Sequence, residues 1–238
     1  MKGKINIKSS IVQFGVLFFL FIIPVKGQNT IILKDSVQID KTFYVLEELK
    51  INTANTSNTA IYKILQSTYD IFDKPYIALP EQRIKAKKDT LSAYIAENTL
   101  RESNYGFEHY EVYYDKNDLL NVSIGIQSYG SPWETVQYFC FDLKTGENTA
   151  LKFFNNQAEV LKIINKKLKQ QEVKMKARTE DLVNFKIVQD NHAKITGLEF
   201  SVSEVGEYRN SGYQQFPIFV SWREINKYIM APLKKRLL

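Results

Sequence analysis

Few side chains in this sequence have the type and spacing that chemistry needs. It holds two histidines, His109 and His192, and one cysteine, Cys140. His109 and Glu111 stand two residues apart, so a strand would put both side chains on one face. A zinc site needs three or four ligands, and a third would have to come from an acid such as Asp115 or Glu134. The pair therefore reads as a cross-strand surface pair, and no metal and no cofactor is expected. His192 falls in a hairpin turn. Cys140 lies in the apolar run Tyr138-Phe-Cys-Phe141, where a cysteine packs as a small hydrophobe; as a single cysteine it forms no internal disulfide. No serine sits in a Gly-x-Ser-x-Gly elbow, and the ten glycines are scattered rather than gathered into a phosphate-cradling loop. No catalytic residue is assigned. Two carboxylate pairs stay open, Glu199 with Glu204 and Glu108 with Asp115; a glycosidase would need such a pair at a defined separation.

Aromatic side chains are the informative excess, with 14 Tyr, 15 Phe and 2 Trp. Most phenylalanines fall on apolar faces and read as core. Tyr129 and Trp133 instead flank Gly130-Ser-Pro132 in one polar loop, and Tyr208, Arg209 and Tyr213 occupy another. Tyr, Trp and Arg held on loops of a rigid scaffold suit recognition of a protein or glycan. The competing reading is an aromatic ring folded back to cap the core. For Trp133 the two stand level; for Tyr208 and Tyr213 the core-capping role is favoured.

The elements that would carry these residues begin after an export signal. Lys2, Lys4 and Lys8 precede an apolar run from Ile11 to Val25, Pro24 breaks it, and Gly27 supplies a small residue at a cleavage site. That basic, apolar, small order is a secretory signal over 1–27, and the run is shorter than the roughly 20 residues of a spanning helix. An uncleaved anchor is the alternative. No cysteine follows the run, so a lipoprotein anchor is not expected. The full chain carries 32 basic and 26 acidic residues; the signal holds four of the lysines and no acid, which leaves 28 against 26, or +2. Little is left of the basic excess that would suggest nucleic acid. Lys85-Ala-Lys-Lys88 and Lys234-Lys-Arg236 read as solvated faces or helix ends.

Residues 28–104 read as a companion region: strand-like pieces at 31–33 and 43–46, a helix over 59–72 ended by Pro75 and Pro80, and a second helix over 89–102. Residues 105–238 read as an α+β domain. Its strands at 107–114, 120–127 and 136–141 form an antiparallel meander, in which Leu120, Val122, Ile124 and Ile126 alternate with polar residues as a half-buried strand does. Asp142 to Gly146 is a turn in which Gly146 takes positive φ cheaply. Asn156 caps a helix over 156–171. A hairpin crosses Asp190-Asn191, a strand follows from Phe216, and Ser221 with Glu224 caps a closing helix over 222–230 that Pro232 stops. The expected fold class is α+β, one antiparallel sheet of meander plus hairpin strands with about four helices packed on it.

Two stretches together resemble a known family. One runs Asn121-Val-Ser-Ile, a Gly/Pro loop, Tyr138-Phe-Cys-Phe-Asp142-Leu-Lys-Thr-Gly146 and Leu151-Lys-Phe-Phe154. The other runs Leu198-Glu-Phe, Glu204-Val-Gly-Glu-Tyr, Gly212, Phe216-Pro-Ile-Phe-Val220 and Glu224-Ile-Asn-Lys-Tyr-Ile229. Their order is similar to that of an extracellular α+β domain of unknown function found in lysozyme-sensing anti-sigma factors and N-terminal to some peptidoglycan deacetylases. Members often carry a Gly-Gly-x-His-type loop where this chain has Tyr129-Gly-Ser-Pro-Trp133, and neither the deacetylase activity nor the sigma-factor switch is expected to carry over. The resemblance implies an exported periplasmic or secreted domain of the bacterial cell envelope. The expected function is non-catalytic binding of a protein, such as a lysozyme-like hydrolase, or of a cell-wall glycan, without nucleic acid and without a stable membrane span after signal cleavage. The alternative is an envelope polysaccharide hydrolase acting through one of the open carboxylate pairs, and a structural or assembly partner in the periplasm is a third reading.

Overall fold

The computed structural model describes residues 29–52, 56–68, 76–203 and 215–238. The export signal expected at 1–27, together with Glu204, Tyr208, Arg209 and Tyr213, lies outside the described residues. The chain runs β1 (Thr30–Ile39), β2 (Thr42–Ile51), α1 (Ser57–Ser67), α2 (Pro80–Ala96), β3 (Gly106–Lys116), β4 (Leu119–Ser128), β5 (Glu134–Asp142), α3 (Gln157–Gln170), β6 (Phe185–Gln189), β7 (Ile195–Ser203), β8 (Gln215–Ser221), α4 (Trp222–Ile225) and α5 (Ala231–Leu237). The α+β class is as expected, with every strand pairing antiparallel. The expected single sheet is not formed. Among the described residues there are three sheets: the β1-β2 hairpin, the β3-β4-β5 meander and β6-β7-β8. Among these residues no helix is long and apolar enough to cross a membrane.

Packing explains the division. Leu120, Val122, Ile124 and Phe141 of the meander share a core with Leu49 of β2 and with Ile61 and Leu65 of α1. Leu119 and Cys140 point the other way, into a core built by β6-β7-β8, α3 and the closing helices. Both faces of β4 are therefore covered from Leu119 to Gly125. Its predicted polar face is not solvated: Asn121 is fully buried and joins two sheets. Its amide donates to Phe139 O (2.9 Å) and Phe185 O (3.1 Å), and Ile187 N donates back to its side-chain oxygen at 2.7 Å. Asn121→Leu keeps the size but leaves a buried donor and an acceptor on β6 unsatisfied, each costing about 1–3 kcal/mol. Urea unfolding is expected to show roughly 2–4 kcal/mol of lost stability.

Prolines set the helix ends differently from the sequence reading. Pro80 does not end a helix; it begins α2, where a missing N–H and a fixed φ suit the first turn. Helix α2 thus starts earlier than 89 and ends at Ala96, and Leu100 is buried beyond its end. Pro232 likewise opens α5. The expected single closing helix is instead α4, a short 3-10 turn at Asn226–Tyr228, and α5. The Ser221–Glu224 capping box forms at α4, and Asn156 caps α3 by accepting from Glu159 N at 3.2 Å. Gly146 takes φ +75°, and a Cβ there would lie 2.6 Å from Ser57 O. The two strand-like pieces at 31–33 and 43–46 are segments of ten-residue strands, whose polar outer faces hid their full length.

Candidate functional site

The β1-β2 hairpin lies against β3, and a cleft of about 550 Å³ opens between β2, the start of β3 and the loop after β4. Phe43, Val45 and Glu47 line it from β2, Phe107 to His109 from β3, and Gln127 to Pro132 from the loop. Strand alternation puts Phe43, Val45 and Glu47 on one face of β2, and Tyr44, which also lines the cleft, comes from the other. Packed rings wall the cleft: Tyr44 stacks on Phe107 at 4.9 Å between centroids and lies tilted against Tyr129 at 5.8 Å, and the buried Tyr105 meets Phe107 edge-on from behind at 5.2 Å. Phe43 and Val45 in the lining stand in solvent at 68% and 50% exposure, and Trp133, one residue beyond the lining loop, is 63% exposed. The loop is held by its own bonds. Gln127 Nε2 donates to Ser131 O at 2.8 Å, and Trp133 N donates to Ser131 Oγ at 3.1 Å. Gly130, at φ +76°, turns it.

His109 borders the cleft, half-exposed, with its Nδ1 held 2.7 Å from Glu134 Oε1. The pair spans β4 above Gly125: a Cβ at that position would come within 2.4 Å of both His109 Cε1 and Glu134 Oε1. His109 thus pairs across the sheet with Glu134. Among the described residues no group of three or more His, Cys, Asp or Glu is placed to hold a metal ion.

Beneath the aromatic wall lies a buried ion network that sequence reasoning missed. Arg83 and Lys87 are 2% and 1% exposed, Glu48 2% and Glu108 3%. Arg83 binds Glu108 in fork geometry, Nη1 and Nη2 each 2.7 Å from a carboxylate oxygen, and its Nη1 also reaches Glu48 at 2.5 Å. Lys87 Nζ lies 2.6 Å from Glu48 and 2.7 Å from Glu108, and it donates to Glu47 O. Tyr110 donates its hydroxyl to Glu108 at 3.2 Å, and its backbone N–H reaches Glu47 Oε2 at 2.9 Å. Burial alone would raise the Glu108 carboxyl. The charge of Lys87, then the hydrogen bonds and charge of Arg83, outweigh burial and hold it down at about 2. Burial likewise pushes the Tyr110 hydroxyl well up. Glu47 and Glu108 also line the cleft, so this network is its base. The reading of Lys85 to Lys88 as a solvated face is corrected at Lys87. Arg83, Lys87 and Leu91 stand at i, i+4 and i+8, one helix face, but two charges on that face hide it from a search for apolar periodicity.

Of the residues singled out for binding, Tyr129 lines the cleft, and Trp133 follows the lining loop directly and does not fold back onto the core. Tyr208, Arg209 and Tyr213 lie outside the described residues. Glu108 and Asp115, seven residues apart on one strand and so roughly 23 Å apart by strand rise, do not converge. Asp115 accepts from Asn29 Nδ2, Thr30 N and Thr30 Oγ1 at 2.8–2.9 Å, tying the start of β1 to the end of β3. Glu199 pairs with Lys186 at 2.8 Å. His192 is exposed in the β6-β7 turn. Cys140 is fully buried, its backbone N–H donates to Asn148 Oδ1 at 3.2 Å, and burial pushes its thiol up to about 12. At that value it is a core thiol rather than a nucleophile.

No family model and no curated protein matches the chain. Among solved structures it is similar to the crystal structure of a DUF3298 family protein from Pseudomonas aeruginosa PAO1, at 12% identity and TM-score 0.45, over 87% of this chain and 96% of that one.

Proposed function

We propose that residues 28–238 act, after an export signal is removed, as a non-catalytic domain of the bacterial envelope that binds a protein or a cell-wall glycan in the aromatic cleft. One observation carries this reading. Phe43 and Val45 are exposed in a cleft walled by packed rings, with the exposed Trp133 directly after its lining loop, on a base fixed by buried ion pairs. Apolar side chains grouped at one open cleft mark an interaction site, and large aromatic side chains dominate binding energy at such sites. Polar groups at the rim, His109, Gln127, Ser128 and Ser131, supply the few directed contacts that orient a ligand. The ligand class follows from the expected address: a lysozyme-like hydrolase or a peptidoglycan strand. Of the carboxylates weighed for hydrolysis, Glu108, Asp115 and Glu199 are each engaged with other groups, and Glu204 lies outside the described residues.

Binding is tested by retention of envelope components on the immobilised mature protein, compared with Trp133→Ala. Loss of a retained component from the variant supports the cleft; identical retention removes it. Export is tested separately. N-terminal sequencing of the protein recovered outside the cytoplasm is expected to begin at Gln28; a sequence beginning at Met1 would mean the apolar run stays as an anchor.

A further inference from the structure

A second surface owes nothing to the aromatic cleft. Helix α3 ends at Gln170, Glu172 takes φ +61°, and the chain turns back along the helix as an extended segment, 173–177. Asn165 clamps this return. Its Oδ1 accepts from Ala177 N at 2.8 Å and its Nδ2 donates to Ala177 O at 3.4 Å, while Val173 N donates to Leu168 O at 3.0 Å. Burial alternates along the segment, with Val173, Met175 and Ala177 turned in and Lys174 and Lys176 turned out. Between segment and helix lies a groove of about 820 Å³.

The groove has an apolar floor and basic walls. Leu161, Val173 and Met175 form the floor, half-buried and packed on the core beneath. Lys166, Lys169, Lys174 and Lys176 line the walls, and none of the four has an ion-pair partner among the described residues. Lys162, also on the wall, pairs with Glu159 at 2.5 Å, and Glu172 is the one acid lining the groove. The backbone N–H and C=O groups of Lys174, Met175 and Lys176 make no hydrogen bond to other described residues. An extended segment with unpaired backbone groups accepts another extended chain by strand addition, with alternate side-chain positions supplying selectivity.

We propose that this groove binds an acidic peptide segment in extended conformation. Its carboxylates would meet the four lysines, its backbone would pair along 174–176, and its apolar side chains would reach the recessed floor. The shape selects the class. The floor residues Leu161, Val173 and Met175 are half-buried between helix and segment rather than projecting from a face, which favours a single narrow chain over the plane of a bilayer.

The test uses a fluorescein-labelled peptide of alternating Glu and Val, followed by fluorescence anisotropy with the exported protein at low salt. Saturable binding is expected, weakening as salt rises because the contacts are surface charges. The triple variant Lys166→Glu/Lys169→Glu/Lys174→Glu, all at solvent-facing positions, is expected to fold as wild type by circular dichroism and to bind at least about tenfold more weakly. A peptide with proline in place of valine keeps the charge but loses the N–H of every second residue and the valine side chains, and is expected to bind several-fold more weakly. The proposal is overturned by absence of saturable peptide binding, by equal affinity of the triple variant, by equal affinity of the proline peptide, or by tighter binding to phosphatidylglycerol vesicles than to the peptide.

Discussion

Arg83→Ala is expected to cost about 3–5 kcal/mol of folding stability, the penalty for breaking a buried ion pair from one side. The loss comes less from the attraction removed than from what remains. Glu108, 3% exposed, keeps Lys87 but loses the fork that satisfied both its oxygens, and Glu48 loses one of its two cations. Replacing Arg83, Lys87, Glu48 and Glu108 together by apolar residues of matching size is expected to cost far less than the single truncation, since no charge is then left unpaired. Chemical denaturation followed by circular dichroism separates the two outcomes. Acid gives an independent reading. The Glu108 carboxyl is depressed from 4.5 to about 2 in the folded protein. Its contribution to stability is therefore complete above about pH 4.5 and is lost as pH falls toward 2. Glu108→Gln should lower stability at neutral pH and flatten the fall across that acid range; an unchanged acid profile would mean the carboxylate is not held as described.

Trp133→Ala and Phe43→Ala are each expected to weaken ligand binding by about 2 kcal/mol or more, the loss typical of a central aromatic contact, or at least tenfold in Kd. Both side chains are mostly exposed, at 63% and 68%, so stability should change by no more than about 0.5 kcal/mol. Tyr44→Ala makes the contrast. Its ring stacks on Phe107 and approaches Tyr129, so its loss should lower both affinity and stability. Calorimetric titration paired with thermal unfolding separates a contact residue from a supporting one. Affinity losses matched by equal stability losses at Trp133 and Phe43 would count against a preformed recognition surface.

Local signals were legible in the sequence and collective ones were not. Period-two alternation located the meander, and the residue pairs Asn156/Glu159 and Ser221/Glu224 located two helix starts, because each signal resides in a few neighbouring residues. Tyr129 and Trp133 stood out because large rings in a Gly/Pro loop have no local packing reason to be there. The division into separate sheets was hidden, since Asn121 looks like a solvated residue until β6 covers it. The base of the cleft was hidden for a related reason. Arg83 and Lys87 on one helix, Glu48 and Glu108 on two strands, each read alone as surface charges, and only the fold brings them to within a hydrogen bond of one another. Pro80 misled because a proline ends one helix and begins another with equal ease, and only the packing of α2 on β1 and β2 decides between them.

The most direct measurement of the cleft as the binding site uses Trp133 as its own probe. The chain has two tryptophans, and the other, Trp222, sits half-buried against the core at the start of α4. In a Trp222→Phe background the emission reports on Trp133 alone. It should begin at the long wavelength of a solvated indole and shift to the blue, saturably, as a lysozyme-like hydrolase, a soluble peptidoglycan fragment, or whichever envelope component the immobilised protein retains is added. A lysozyme-like hydrolase or peptidoglycan fragment that binds the protein saturably while Trp133 emission stays fixed would contradict the account.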